Sequence, residues 1–169
     1  MVAGQARREA LRLASGTPAT TALTRLGLAF ELHPYDHDPA AASYGLEAAA
    51  ALSVPPAQVF KTLLVVGDSG LAVGVVPVDR QLDLKAVAAA LGLKKVTMAQ
   101  PADAERSTGY VVGGISPIGQ RKALPTVVDE SALGFERVYV SGGRRGLDIS
   151  LAPGDLVAAT KATVASIAR

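Results

Sequence analysis

The sequence predicts an α/β domain built on a mixed β-barrel or a strongly curved mixed sheet, with helices flanking it. Three observations point there. VFKTLLVV (Val59 to Val66) and LAVGVVPV (Leu71 to Val78) are β-branched runs joined by a short GDSG turn, the clearest hairpin signal in the chain. Strand-like and helix-like segments are interspersed elsewhere without strict βαβ alternation, which argues against an all-parallel sheet. Finally, 169 residues that are 49% hydrophobic but only 4% aromatic suit one core filled by Val, Leu, Ile and Ala. Residues 1–16 read as an Arg-bearing N-terminal arm and residues 17–169 as a single domain.

The elements follow in order. Thr17 is an N-cap with Pro18 at the first helical position, and Ala22, Leu23 and Leu26 keep helical spacing up to Gly27. A strand is expected around Phe30 to Tyr35, running into HPYDHDP, where Pro34 and Pro39 enforce a loop or strand end. Ser43 caps a second helix that carries Glu47 and the alanine run to Leu52, and Pro55-Pro56 stops it. After the hairpin, Asp83 caps a helix over Leu84 to Leu91, closed by Gly92, and Lys95 to Met98 is a short strand. Pro101 to Arg106 supplies one or two helical turns before the glycine-rich segment Ser107 to Lys122. Strands around Thr126 to Asp129 and Arg137 to Val140 bracket a short turn of helix near Ser131 to Leu133. SGGRRG (Ser141 to Gly146) joins the latter to a strand at Leu147 to Leu151, and Pro153 to Thr160 is a last helix before a C-terminal strand or tail.

Composition removes whole classes of function. With no cysteine there is no disulfide, thiolate metal site or cysteine nucleophile. No apolar run approaches the roughly 18 residues of a membrane helix, and the Arg-rich N-terminus lacks a signal-peptide core, so a cytoplasmic location is the expectation. A net charge of +2 is compatible with an RNA partner without requiring one.

Lys61 is the residue most at odds with its surroundings. Alternation puts it on one face with Val59, Leu63 and Val65, so it either snorkels to water or stands as a cation at the floor or rim of a pocket. GGISP (Gly113 to Pro117) cannot be a regular strand; it is either a bend or a loop whose backbone lets a ligand approach closely. The Gly114 to Gly119 spacing matches part of a phosphate-binding loop, but Gln120 replaces the lysine, which excludes a Walker motif. Arg144 and Arg145 at a glycine-rich turn, with Arg121 and Lys122, are cations suited to phosphate, alongside Lys94, Lys95 and Arg106. His33 and His37 lack a third ligand, so no metal site and no cofactor is expected. A triad of Ser116, His33 and Asp148 lacks a nucleophile elbow, whereas a dyad of Ser116 or Ser141 with Lys61 stays open.

Nine-tenths of the chain resembles the YbaK/EbsC family, and within it the free-standing Cys-tRNA(Pro) deacylases. The resemblance rests on TPA (17–19), HPYDHDP (33–39), SYGLEA (43–48), VFKTLLV (59–65), QLDLK (81–85), RSTGYVVGGISPIGQRK (106–122), LPT (124–126) and YVSGGRRGLDI (139–149). It implies hydrolysis of the ester that joins a misattached cysteine to tRNA(Pro), on a mixed β-barrel fold. It also implies that Lys61 is the lysine associated with activity, with Gly113 and Ser141 beside it. Tyr35, Tyr44, Thr62 and Asp148 match pocket positions, and the backbone of Gly113, Gly114, Ile115 and Ser116 would hold the ester. The implied mechanism is attack by the substrate's own thiol, releasing a cysteine thiolactone. The implied partners are tRNA(Pro) carrying cysteine, gripped by Arg121, Lys122, Arg144 and Arg145, and prolyl-tRNA synthetase. The readings that remain open are a deacylase for another small amino acid such as Ala, a non-catalytic nucleotide- or RNA-binding module, and a Ser-Lys hydrolase.

Overall fold

Apolar runs that do not alternate with polar residues form strands covered on both faces, and LAVGVVPV is such a run. The computed structural model describes residues 4–5 and 16–169; the expected arm therefore lies outside the described residues apart from positions 4, 5 and 16. In chain order the elements are α1 (Pro18–Leu26), β1 (Glu31–Pro34), α2 (Tyr44–Leu52), β2 (Phe60–Gly67), β3 (Gly70–Pro77), α3 (Leu84–Leu91) and β4 (Val96–Met98). They continue with α4 (Pro101–Thr108), β5 (Thr126–Asp129), β6 (Val138–Arg144), β7 (Leu147–Leu151), α5 (Pro153–Thr160) and β8 (Thr163–Ala165), with short 3-10 turns at Pro56–Gln58 and Glu130–Gly134. The caps act as the sequence indicates: Thr17 Oγ1 accepts from Thr20 N at 3.2 Å, Ser43 Oγ from Leu46 N at 3.3 Å and Asp83 Oδ1 from Ala86 N at 3.1 Å.

The fold is mixed α/β. The strands form a three-stranded sheet, β1-β7-β6, and a five-stranded sheet, β4-β2-β3-β5-β8. β2 pairs antiparallel with β3 and β4, whereas β3/β5 and β5/β8 are parallel. The expected barrel is not closed by these ladders: an isolated parallel bridge, Val59 to Tyr139, joins the two sheets. Phe60, Leu64, Val73, Val75 and Val128 on one sheet and Val138, Val140, Ile149 and Leu151 on the other meet in a shared core, together with Leu23 of α1 and Leu156 of α5. The far face of the larger sheet buries Val65, Ala72, Val76 and Val127 under Val87 and Ala88 of α3. α2 packs Ala48 and Ala49 on Val59 and Val78, close to Tyr35 and Tyr139.

SGGRRG does not simply join two strands. Ser141–Arg144 belong to β6, and the register with β7 shifts between Ser141 and Arg144. Gly143, with φ +108°, absorbs the extra length in a conformation that a side chain would strain. At the C-terminal end, the buried Asp129 carboxylate accepts from Ile167 N at 2.9 Å, Ala168 N at 3.0 Å and Ser131 N at 3.2 Å, tying the last residues to β5. No helix among the described residues is long and apolar enough to cross a membrane.

Candidate functional site

The site arises where a strand edge is left open. β4 pairs with β2 only from Val65 to Gly67, while the bridge to β6 lies at Val59. Leu64 O accepts from Ala99 N at 3.0 Å on the β4 side, so alternation turns the main chain of Thr62 to that same edge, where no strand pairs with it. A cleft of about 410 Å³ occupies the gap. Its walls are Phe60 to Leu64 of β2, Ser43 to Gly45 and Ala48 at α2, and Met98, Ala99, Pro101 and Ala104 around the start of α4. Val112, Gly113, Ile115, Tyr35, Ser141 and Asp148 complete it.

Lys61 and Thr62 sit side by side on the cleft but leave the strand on opposite faces. Burial holds the Lys61 ammonium below its ordinary pKa, and the negative charge of Asp79 pulls the other way. Lys61 makes no salt bridge among the described residues, so its charge is free for a ligand. Thr62 Oγ1 is buried without a hydrogen-bond partner among the described residues. A buried hydroxyl left in this state costs stability, which is a reason to look for a ligand that completes it.

Asp148 lies on β7 opposite Ser141 and His33 and is 5% exposed. Burial pushes its carboxyl up to about 7. The Tyr35 hydroxyl is pushed up to about 12 by burial, then by the charges of Asp148 and Glu47. Ser141 Oγ accepts from Gly143 N at 3.2 Å. At the rim, His37 Nδ1 bonds Glu47 at 2.8 Å, and Glu47 also accepts from Asp38 N at 2.7 Å. The hydrogen bond from His37 holds Glu47 below the usual carboxylate range despite some burial. The Tyr44 ring stands 5.8 Å from that of His37 and packs against Gly113, where a Cβ would come within 2.7 Å of it.

The structure thus brings Lys61, Thr62, Tyr35, Tyr44, Gly113, Ile115, Ser141 and Asp148 to one cleft. Gly114 and Ser116 are not among the residues that line it. Gly114 is buried against the main chain of Arg144 and Arg145, and the fully buried Ser116 hydroxyl accepts from Ile118 N at 3.3 Å. His33 Nε2 faces Ser150 Oγ at 2.7 Å, and His33 pairs in register with Asp148, but Ser116 is not among the residues that line the cleft with Asp148. Arg121 and Lys122 are exposed, and their amides bond Thr108 O and Ser107 O at the end of α4. Arg144 is exposed in the bulge, whereas Arg145 donates to Val112 O. Sequence reasoning missed the wall from Met98 to Ala104, which carries no motif, and Glu105, whose Oε2 accepts from Val112 N at 2.8 Å beside the cleft and whose only signal was an acid next to a glycine-rich segment.

The comparisons with known proteins agree with one another. Residues 38–159 match the family model described as aminoacyl-tRNA editing domain. EbsC of Enterococcus faecalis, provisionally named a Cys-tRNA(Pro)/Cys-tRNA(Cys) deacylase, is 42% identical over 120 residues, which are 70% of this chain and 73% of that protein. A proline-tRNA ligase of Acidithiobacillus ferrooxidans is 35% identical over 88 residues, 52% of this chain but 15% of the ligase. A crystal structure provisionally named a trans-editing enzyme for prolyl tRNA synthetase superposes with a TM-score of 0.80 at 29% identity, covering 90% of this chain and 95% of that one.

Proposed function

The chain belongs to the aminoacyl-tRNA editing domain family, and from that premise we propose that it is a trans-editing deacylase that releases cysteine from mischarged Cys-tRNA(Pro). The observation that carries this reading is a cleft that, among the described residues, holds a cation with no salt bridge and a buried hydroxyl with no partner, and no hydrogen bond from Ser141 to Lys61: Lys61, Thr62 and Asp148 line it, and Ser141 Oγ accepts from Gly143 N. Such a cleft positions a substrate rather than attacking it.

The substrate brings its own nucleophile. Its thiol sulfur bonds to the ester carbonyl carbon, the carbon–oxygen bond to the 3′-terminal ribose breaks, and the thiol proton passes to the departing oxygen, giving a cysteine thiolactone and free tRNA. Folding the thiol back onto its ester supplies the proximity, and a thiol is the better nucleophile than a serine hydroxyl at the same position. Lys61 meets the terminal phosphate or the adenosine, Asp148 faces the α-ammonium, and Thr62 Oγ1 with the Gly113 main chain holds the aminoacyl group. Exposed Arg121, Lys122 and Arg144 track the acceptor strand, and prolyl-tRNA synthetase is the partner that presents tRNA(Pro). Residues 17–169 act as one domain with residues 1–16 as an appended arm.

The test is release of amino acid from Cys-, Ala- and Ser-tRNA(Pro), with thiolactone trapping, for the wild type and Lys61→Ala. Loss of cysteine alone, dependent on Lys61, supports the reading. Preference for alanine would replace the thiol mechanism by water or a tRNA hydroxyl, and no cleavage of any ester would leave a binding module.

A further inference from the structure

The loop at Gly113 is gripped from two sides by residues that do not reach the cleft. Gly114 N donates to Val111 O at 2.8 Å and Gly113 has φ +89°, the value a type II turn requires at its third residue. In such a turn the central peptide, here Val112–Gly113, can swing between the type I and type II orientations with little movement of its neighbours, and glycine accepts both. The orientation decides where the Gly113 N–H points. Val112 O accepts from Arg145 Nε at 2.9 Å and from Nη2 at 2.7 Å, while Val112 N donates to Glu105 Oε2 at 2.8 Å. The same guanidinium lies over the Tyr44 ring, 5.1 Å from its centroid. The Gly113 N–H has no hydrogen-bond partner among the described residues.

We infer that Arg145 is a positioning residue: by holding Val112 O it fixes the Val112–Gly113 peptide in the type II sense and keeps the Gly113 N–H directed to the cleft as a donor to the ester carbonyl oxygen. A trans peptide sets its N–H opposite its C=O, so the grip on Val112 O turns the Gly113 N–H away from Arg145, toward the side where Gly113 borders the cleft. Two donors of one planar fork converging on one oxygen fix a direction that a single ammonium does not. The role differs from the phosphate contact that the sequence suggested for Arg145. It rests on the deacylase reading for its substrate.

The experiment compares wild type, Arg145→Ala and Arg145→Lys in steady-state cleavage of Cys-tRNA(Pro), in the salt dependence of tRNA binding, and by NMR without substrate. A type II turn brings the Val112 Hα close to the Gly113 HN and gives a strong NOE, which a type I turn lacks. The expected result is loss of that NOE in Arg145→Ala at an unchanged melting temperature. kcat should fall on the order of a hundredfold in both variants, as for a misplaced oxyanion donor, with KM and the salt slope unchanged. Lysine, which would preserve a phosphate contact, should not rescue kcat. Retention of the NOE in Arg145→Ala overturns the inference, as does weaker binding with a flatter salt slope at unchanged kcat. If the wild type cleaves no aminoacyl ester, the deacylase reading falls and the NOE alone decides the role of Arg145.

Discussion

Two charged side chains in the cleft are held against the preference of a buried environment, and each predicts a measurable consequence. Lys61 carries an ammonium that burial disfavours and no salt bridge offsets among the described residues. Lys61→Ala should therefore leave the melting temperature unchanged or slightly raised while deacylation falls about a hundredfold or more, as for loss of a group that positions the substrate. A parallel loss of stability and activity would mark Lys61 as structural. Asp148 has the opposite sign. Its carboxyl rises from an ordinary 3.8 to about 7, so between those values the folded protein holds a proton that the unfolded chain has released. Its contribution to stability is complete below about pH 4 and is lost as the pH rises through about 7. Asp148→Asn should flatten the difference between urea midpoints measured at pH 5 and pH 8, and it should remove from the deacylation profile the limb that titrates near pH 7. An unchanged difference in midpoints would mean that water reaches the carboxylate.

The segment that follows β8 is clamped by one carboxylate. Burial pushes the Asp129 carboxyl up, but hydrogen bonds from Ser131, Ile167 and Ala168 together hold it below the usual carboxylate range. The stability it contributes is present above the unfolded pKa and is lost as the pH falls through the lowered folded value. Asp129→Ala should cost about 2–4 kcal/mol, because three donors lose a charged acceptor at once. It should also speed hydrogen exchange of the Ile167 and Ala168 amides before that of β3; protection kept at both amides would show that the segment after β8 holds without the clamp. Most elements were legible in the sequence because their causes are local. Thr17, Ser43 and Asp83 announce helices by capping them, and the hairpin is announced by two β-branched runs. The division into two sheets was not legible, since it depends on the β2 side meeting β6 at a single isolated bridge, Val59 to Tyr139. For the same reason Lys61 stood out as a charge in an apolar run, whereas the wall from Met98 to Ala104 and the burial of Ser116 depend on tertiary placement. The bulge at Gly143 was hidden because a glycine pair reads equally as a turn.

At the scale of the whole molecule the question is how a chain of net charge +2 would attract the polyanion that the deacylase reading requires. Net charge alone is too small to steer; local cations must do it. Arg106 is paired with Asp103 at 3.2 Å and Arg145 is committed to Val112 O, which leaves Arg121 and Lys122 at the end of the 107–122 segment that borders the cleft, and Arg144 packed beside it, as exposed cations. If they meet phosphates, each contact releases about one counterion, so Arg121→Ala, Lys122→Ala and Arg144→Ala should each lower tRNA affinity and reduce the slope of log affinity against log salt by about one. kcat should stay at the wild-type value, because none of the three side chains reaches the cleft. That pattern is the inverse of the one expected for Arg145, where kcat falls and the slope holds. The four variants measured together in one salt series therefore separate attraction from alignment. Were all four to lose affinity and slope alike, the glycine-rich turn would be a phosphate site throughout. Were none to change the slope, the acceptor strand would have to enter over another face, for which Lys94 and Lys95 beside β4 are the exposed candidates.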